Sequence, residues 1–212
     1  MASLPELSAD PLPLAQRWLD DAARSALRNS TAMALATATP QGRPSVRMVL
    51  LKSISAEHGF GVFYSHRASR KGRELEANPR AAGVLYWQPL GRQLRLEGRI
   101  TDSPDAESDA YFATRPLGSR INAWVSAQSE PIASFADLSQ RAEERTRALS
   151  GNPVSRPPHW GGYRLWFEAI EFWVEGTDRF HERVRYERRL DATHEVETTF
   201  IAGHWSHRLL QP

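Results

Sequence analysis

The sequence predicts a mainly β protein, an antiparallel barrel with flanking helices, from three observations. Between residues 32 and 102, short runs rich in β-branched and aromatic side chains alternate with turn formers such as Pro40-Gln41-Gly42 and His58-Gly59. Only one short helical stretch, 69–77, breaks the series, so strands follow one another through turns rather than the long crossovers of a parallel sheet. No Gly-x-Gly-x-x-Gly is present, which removes the usual mark of a doubly wound nucleotide fold.

In chain order, an amphipathic helix enters at Asp10-Pro11 with Leu14, Trp18, Ala22 and Ala26 at helical spacing, and it should cover one end of a sheet. Strands are expected at 32–38, 43–54, 59–65, 81–87 and 92–102. A second longer helix, 104–114, follows Ser103-Pro104. A third runs from Ser134 to about Leu149, with a capping-box-like start, Ser134-Phe135-Ala136-Asp137, and a stop at Gly151. The mixed charges from Arg141 to Arg147 read as its solvated face. Strands resume at 162–173, 183–189 and roughly 196–210. Without repeats, low-complexity tracts or a long linker, residues 1–212 read as one domain with a sizeable core.

Composition excludes several classes. A formal charge of +2 gives little reason to expect a nucleic-acid or membrane surface. With no cysteine, disulfides, zinc–thiolate sites, iron–sulfur clusters and cysteine nucleophiles are ruled out. Neither His-Glu-x-x-His nor Gly-x-Ser-x-Gly occurs, against a zinc hydrolase or an esterase. His58, His66, His159, His194, His204 and His207 have no partners at metal-ligand or triad spacing, and no metal is expected. The start, Met1 to Leu7, lacks a signal peptide's basic and apolar parts, and no apolar run reaches membrane-spanning length, so a soluble cytoplasmic protein is expected.

Three groupings carry chemistry. Arg47 and Lys52 flank an apolar strand, an aromatic strand ends at Tyr64-Ser65, and Ser69-Arg70-Lys71 opens a helix. A Ser N-cap beside two cations can cradle a phosphate through orphan N–H groups, the helix dipole and charge, although two adjacent cations at a helix start are more often a solvated face. Tyr111 and Arg115, four apart on one helix, with Ser119 just beyond, can form a second anion site, or else an ordinary half-buried aromatic and a helix-end charge. Arg179, His181 and Arg183 alternate and would share one side of a strand, as a site or as a charged solvent face.

These segments, with the flanks Ala32 to Thr37 and Gly72 to Pro79, resemble the pyridoxamine phosphate oxidase family, which are FMN enzymes with a split-barrel fold. Three further blocks carry the resemblance: Gly91 to Gly98, Asp109 to Pro116, and Glu171-Phe172-Trp173 followed by Arg179 to Arg183. It runs in order from about Asp10 to the C-terminus. The resemblance implies FMN contacts from Arg47, Met48, Val49, Leu50, Leu51, Lys52, Tyr64, Ser65, Arg70, Lys71, Gln93, Gln128, Ser129, Trp173 and Arg183. It gives the substrate's phosphate to Lys52, Tyr111, Arg115 and Ser119, and it sets Arg179 and His181 as catalytic residues over flavin and substrate. The implied reaction is oxidation of pyridoxine or pyridoxamine phosphate to pyridoxal phosphate, with dioxygen reoxidising the flavin.

The implied assembly is a homodimer with FMN between subunits, and Trp87, Trp124 and Trp173 are expected to supply an apolar face for it. Four features depart from the family pattern: a short N-terminal segment in place of a basic lid, Val174 where Gln is frequent, Glu182 where Asp is usual, and a longer tail before Trp205. They resemble the paralogous FMN oxidases of phenazine biosynthesis, which act on dihydrophenazine carboxylates. A non-catalytic flavin-binding split barrel would have no use for Tyr111, Arg115, Arg179 and His181.

Overall fold

The computed structural model of the chain describes residues 3–149, 153–193 and 199–212. It begins with α1 (Leu12–Arg24), whose first free N–H, that of Leu12, donates to the Asp10 carboxylate at 3.0 Å. Leu14, Trp18 and Ala22 are buried as expected, while Ala26 lies beyond the helix and is exposed. Trp18 meets Trp87 and Phe172 edge-on, so α1 closes one end of the core.

Strands β1 (Ala32–Ala38), β2 (Pro44–Leu50), β3 (Ser53–Ser55), β4 (Phe60–His66), β5 (Arg80–Trp87) and β6 (Arg92–Asp102) follow, with α2 (Arg70–Ala77) between β4 and β5. After α3 (Asp105–Thr114), α4 (Leu117–Val125) and α5 (Phe135–Ala148) come β7 (Trp160–Val174), β8 (Glu182–Glu187), β9 (Leu190–Ala192), β10 (Phe200–Ala202) and β11 (Ser206–Leu210). The main sheet is antiparallel and runs β11-β8-β7-β6-β5-β1-β2, with β4 on the free half of β7 and β3 on β4. Two strands thus share one edge of β7: β4 pairs with residues 160–166 and β8 with 169–174. A bulge at Glu97/Gly98 bends the β6–β7 pair where the partner changes. Gly98 is required there, because a Cβ would lie 1.8 Å from the Trp166 carbonyl oxygen.

The single expected strand 43–54 is two. The Leu51 N–H reaches the Thr31 carbonyl, but the Lys52 N–H turns to Val62, so the chain changes partner from β1 to β4 between them. Helix α4 was not expected; Gly118 and Ser119 in its first turn obscure Leu117, Ile121, Trp124 and Val125, which recur at helical spacing. The tail expected as one strand is divided into β10 and β11, and residues 194–198, with His194, lie outside the described residues, as does the expected helix stop at Gly151. Helix α5 buries no side chain, in keeping with a solvated face, and Ser134 caps it by accepting from the Asp137 N–H. Among the described residues, no helix is long and apolar enough to cross a membrane.

Candidate active site

The end of β4, the break between β2 and β3, and the α3–α4 corner enclose a cavity of about 490 Å³. Lys52, Tyr64, Tyr111, Arg115, Ser119 and Gln128 are among its lining residues. Tyr111 stands in the last turn of α3, Arg115 leaves the helix in extended conformation, and Pro116 immediately starts α4, which brings Ser119 back to the same cavity. Tyr64 stacks on Tyr111 at 4.0 Å and on Trp160 at 5.5 Å. Burial, with Glu107 and Tyr111 nearby, pushes the Tyr64 phenol up to about 12, so it is a neutral hydroxyl here.

Among the described residues, the cations of this cavity have no counter-charge. The Arg115 guanidinium lies 4.7 Å from the Trp160 ring, its Nη1 is buried without a hydrogen-bond partner, and burial lowers its pKa. Lys52 Nζ sits 5.5 Å from the Tyr111 ring, and among the described residues it has no ion pair or hydrogen bond. Two unpaired cations, a phenol and a hydroxyl around one space suit a phosphate group.

Behind the same wall, Lys71 is 6% exposed, and among the described residues its ammonium bonds only to neutral oxygens: Gln128 Oε1 at 2.7 Å, Ser65 Oγ at 2.9 Å and Ser69 Oγ at 3.0 Å. Burial first, and Arg47 second, lower its pKa to about 8. A buried ammonium among neutral acceptors also fits an anion. Ser69 caps α2 as expected. Arg47 and Arg70 are different, because Glu74 already engages both: Arg70 Nε at 2.9 Å from Oε1 and Arg47 Nη2 at 3.4 Å from Oε2. Burial alone would raise the Glu74 pKa, but the Ser45 and Thr37 hydroxyls and Arg70 hold it at about 2. The expected four-cation cradle is therefore divided, with Lys52 in the cavity, Lys71 beside it, and two arginines on Glu74. Val49 and Leu51 are core residues, while Met48 and Leu50 are exposed. Gln128 lines the cavity; its neighbour Ser129, with φ +76°, is exposed and does not.

The remaining expected residues lie elsewhere. Gln93, Trp173 and Arg183 stand abreast across β6, β7 and β8 on the outer face of the sheet. Arg183 is bound there by Glu171, at 2.7 Å. Arg179, His181 and Arg183 do not share a strand face. Gly176 is followed by a tight turn, Thr177–Arg179, in which Asp178 and Arg179 have φ of +51° and +66°, and β8 begins only at Glu182. A Cβ at Gly176 would lie 1.8 Å from the Phe180 carbonyl oxygen, so the turn depends on that glycine. The turn still brings His181 to within 4.6 Å of the Trp173 ring. Of the tryptophans expected at an apolar face, Trp87 is buried in the core with its indole N–H on the Ser30 carbonyl, and Trp124 packs beside His159 and Arg145. The exposed apolar side chains of the outer face are instead Val46, Met48 and Leu50 on β2, and Tyr86 on β5. His66, Asn122 and Trp160 line the cavity without having been singled out; nothing in their spacing marks them.

Residues 19–149 match the sequence family described as pyridoxamine 5′-phosphate oxidase, and residues 160–212 match the pyridoxine 5′-phosphate oxidase C-terminal dimerisation region, which supports a homodimer. The chain is 52% identical over 189 residues to a pyridoxine/pyridoxamine 5′-phosphate oxidase of Rubrobacter xylanophilus, covering 88% of this chain and 86% of the relative. It is 48% identical over 188 residues to the enzyme of the same name from Cupriavidus necator, covering 88% and 87%. Among solved structures, PhzG from Burkholderia lata, in complex with tetrahydrophenazine-1-carboxylic acid, is similar with a TM-score of 0.87 and 33% identity over 100% of this chain and 98% of that one. A related FMN-binding protein from Nostoc punctiforme shares the fold, with a TM-score of 0.70 at 17% identity over 97% and 100%. The chain therefore belongs to the pyridoxamine 5′-phosphate oxidase family of FMN-dependent oxidoreductases.

Proposed function

We propose that the protein is a cytoplasmic oxidase that converts pyridoxine or pyridoxamine 5′-phosphate to pyridoxal phosphate, with FMN held between two subunits and dioxygen as electron acceptor. The observation that carries the substrate is the meeting of Lys52, Tyr111, Arg115 and Ser119 in one cavity with no carboxylate, among the described residues, on either cation. A phosphate ester supplies the missing charge, with Arg115 donating, Lys52 countering, and the Tyr111 and Ser119 hydroxyls completing its shell.

FMN, when bound, supplies the two-electron acceptor for the carbon bearing the alcohol or amine. Lys71 would meet the cofactor's phosphate, with Gln128 and Ser65 holding its ammonium in place. His181 Nδ1 accepts from the Gly176 N–H at 3.2 Å, which leaves Nε2 as the protonated nitrogen of the neutral ring. His181 is therefore suited to donate to the substrate's reacting oxygen or nitrogen, and Arg179 to hold charge beside it, rather than either taking a proton from rest. One substrate has to meet both groups. Yet Ser65 pairs with Gly161 and Gln93 with Trp173, so the two groups flank opposite ends of β7, separated by roughly 40 Å of strand. That separation, together with the apolar row on β2, supports a site completed by the second subunit.

The likeness to PhzG favours a second reading, oxidation of a dihydrophenazine carboxylate. Such a substrate has no phosphate to occupy four converging residues. The deciding experiment is to purify the protein, release its flavin for mass measurement, and follow oxygen uptake with pyridoxine phosphate, pyridoxamine phosphate and a dihydrophenazine carboxylate. Turnover of the phosphates supports the first reading, and turnover of the phenazine alone replaces it with the second.

A further inference from the structure

Trp160 is the first residue of β7, lines the cavity and is 6% exposed, yet no step of the proposed reaction uses it. Its ring meets four neighbours: the Arg115 guanidinium at 4.7 Å, the edge-on Phe112 ring at 5.1 Å, and the parallel rings of Tyr64 at 5.5 Å and Tyr111 at 6.2 Å. The backbone that carries the ring is fixed. The Arg156 guanidinium donates to the Trp160 carbonyl at 2.7 Å and, through its other nitrogens, to Asp105 at 2.8 Å and Asp109 at 2.6 Å, both on α3. The start of β7 is thereby tied to the helix that carries Tyr111, and Trp160 also pairs with His66 at the end of β4.

Arg115 needs such a neighbour. Its side chain is part-buried, and among the described residues no carboxylate pairs with it. A carboxylate would stabilise the buried charge, but it would also occupy the donors and cancel the charge that an incoming anion has to meet. An indole face attracts the cation through its quadrupole and takes none of its hydrogen bonds, which fits the unpartnered Arg115 Nη1. We propose that Trp160 is a positioning residue for the substrate's phosphate: its ring holds the Arg115 guanidinium at the cavity wall with its donors free for the ester. The inference rests on the oxidase reading, which gives Arg115 a phosphate to bind.

The test measures kcat and KM on pyridoxine phosphate and on pyridoxine with the full-length, FMN-loaded protein. The forms compared are wild type, Trp160→Leu, Trp160→Phe, Arg115→Ala, and Arg115→Ala combined with Trp160→Leu. Trp160→Leu should lower kcat/KM on the ester about tenfold, chiefly by raising KM, and change pyridoxine little. Trp160→Phe, which keeps a weaker aromatic face, should fall between wild type and Trp160→Leu. In the Arg115→Ala background, Trp160→Leu should cost the ester no more than it costs pyridoxine, because the guanidinium it acts through is gone. No loss specific to the ester, or one that persists without Arg115, would overturn the proposal, since the ring would then support the wall or act through Tyr111. Should Trp160→Leu not fold, wild type and Arg115→Ala are produced with difluorotryptophan at all seven tryptophans, which keeps each ring's outline but weakens its π face. The ester's advantage over pyridoxine should then shrink in wild type and hold in Arg115→Ala; the same change in both, or none in either, overturns the proposal. A wild-type protein with no preference for the ester would sink the oxidase reading instead.

Discussion

Two arginine-rich regions of this molecule handle charge in opposite ways. On the outer sheet face, Glu171 is 2% exposed and lies within ion-pair distance of Arg95, Arg183 and Arg185, while Glu97 and Glu187 also hold Arg185. Side-chain hydrogen bonds from Arg185 first, and the charges of Arg185 and Arg95, lower the Glu97 pKa. In the cavity Arg115 and Lys52, and beside it Lys71, meet rings and neutral oxygens instead. Arginines that the chain neutralises itself serve the fold; cations it leaves unmatched are there for something the chain does not contain. By this criterion Arg183, which the family resemblance assigns to FMN, is first a structural partner of Glu171, and any flavin contact must be made with the charge already shared.

The sharpest way to break the comparison is to remove the acid from the paired region. Glu171→Ala leaves three arginines without their common partner, and urea unfolding should find it about 3 kcal/mol less stable than wild type. Glu187→Ala, at a half-exposed carboxylate, should lose under about 1 kcal/mol. Equal losses would mean that burial does not distinguish these pairs.

A smaller effect sharpens the other side. The Lys71 pKa of about 8 lies below its ordinary 10.5, so the ammonium is present below about pH 8 and is lost above it. A phosphate favours the charged form, and FMN affinity should therefore be flat well below that pH, halve at about pH 8 and lie about tenfold below its plateau at pH 9, as the protonated fraction falls. Riboflavin affinity should stay flat; a parallel fall in both, read by fluorescence titration, would remove Lys71 from the phosphate. The smallest effect is expected at Arg147 on α5, where no side chain is buried: Arg147→Ala should change stability by less than about 0.5 kcal/mol in the same urea assay.

What was legible in the sequence follows the range of the forces involved. Strands β1, β4, β5 and β6 and helices α1, α2, α3 and α5 announce themselves through local periodicity, caps and turn residues, and their boundaries lie close to those expected. The division of 43–54 was not legible, because nothing local says that Leu51 bonds to Thr31 while Lys52 bonds to Val62. Nor was the turn after Gly176, where alternation of Arg179, His181 and Arg183 imitated a strand. Tyr111, Arg115 and Ser119 were found because short spacing brings them together. The pairing of Arg47 with Glu74, the isolation of Lys71 and the position of His66 arise from contacts between elements far apart in the chain.

The most direct test of unmatched cavity charge compares Arg115→Ala with wild type on pyridoxine phosphate and on unphosphorylated pyridoxine. The expected result is a loss of about a hundredfold in kcat/KM on the phosphate ester, little change on pyridoxine, and FMN still bound. An equal loss on both substrates, or full activity on the ester, would contradict it, because Arg115 would then be supporting the cavity wall rather than binding the phosphate.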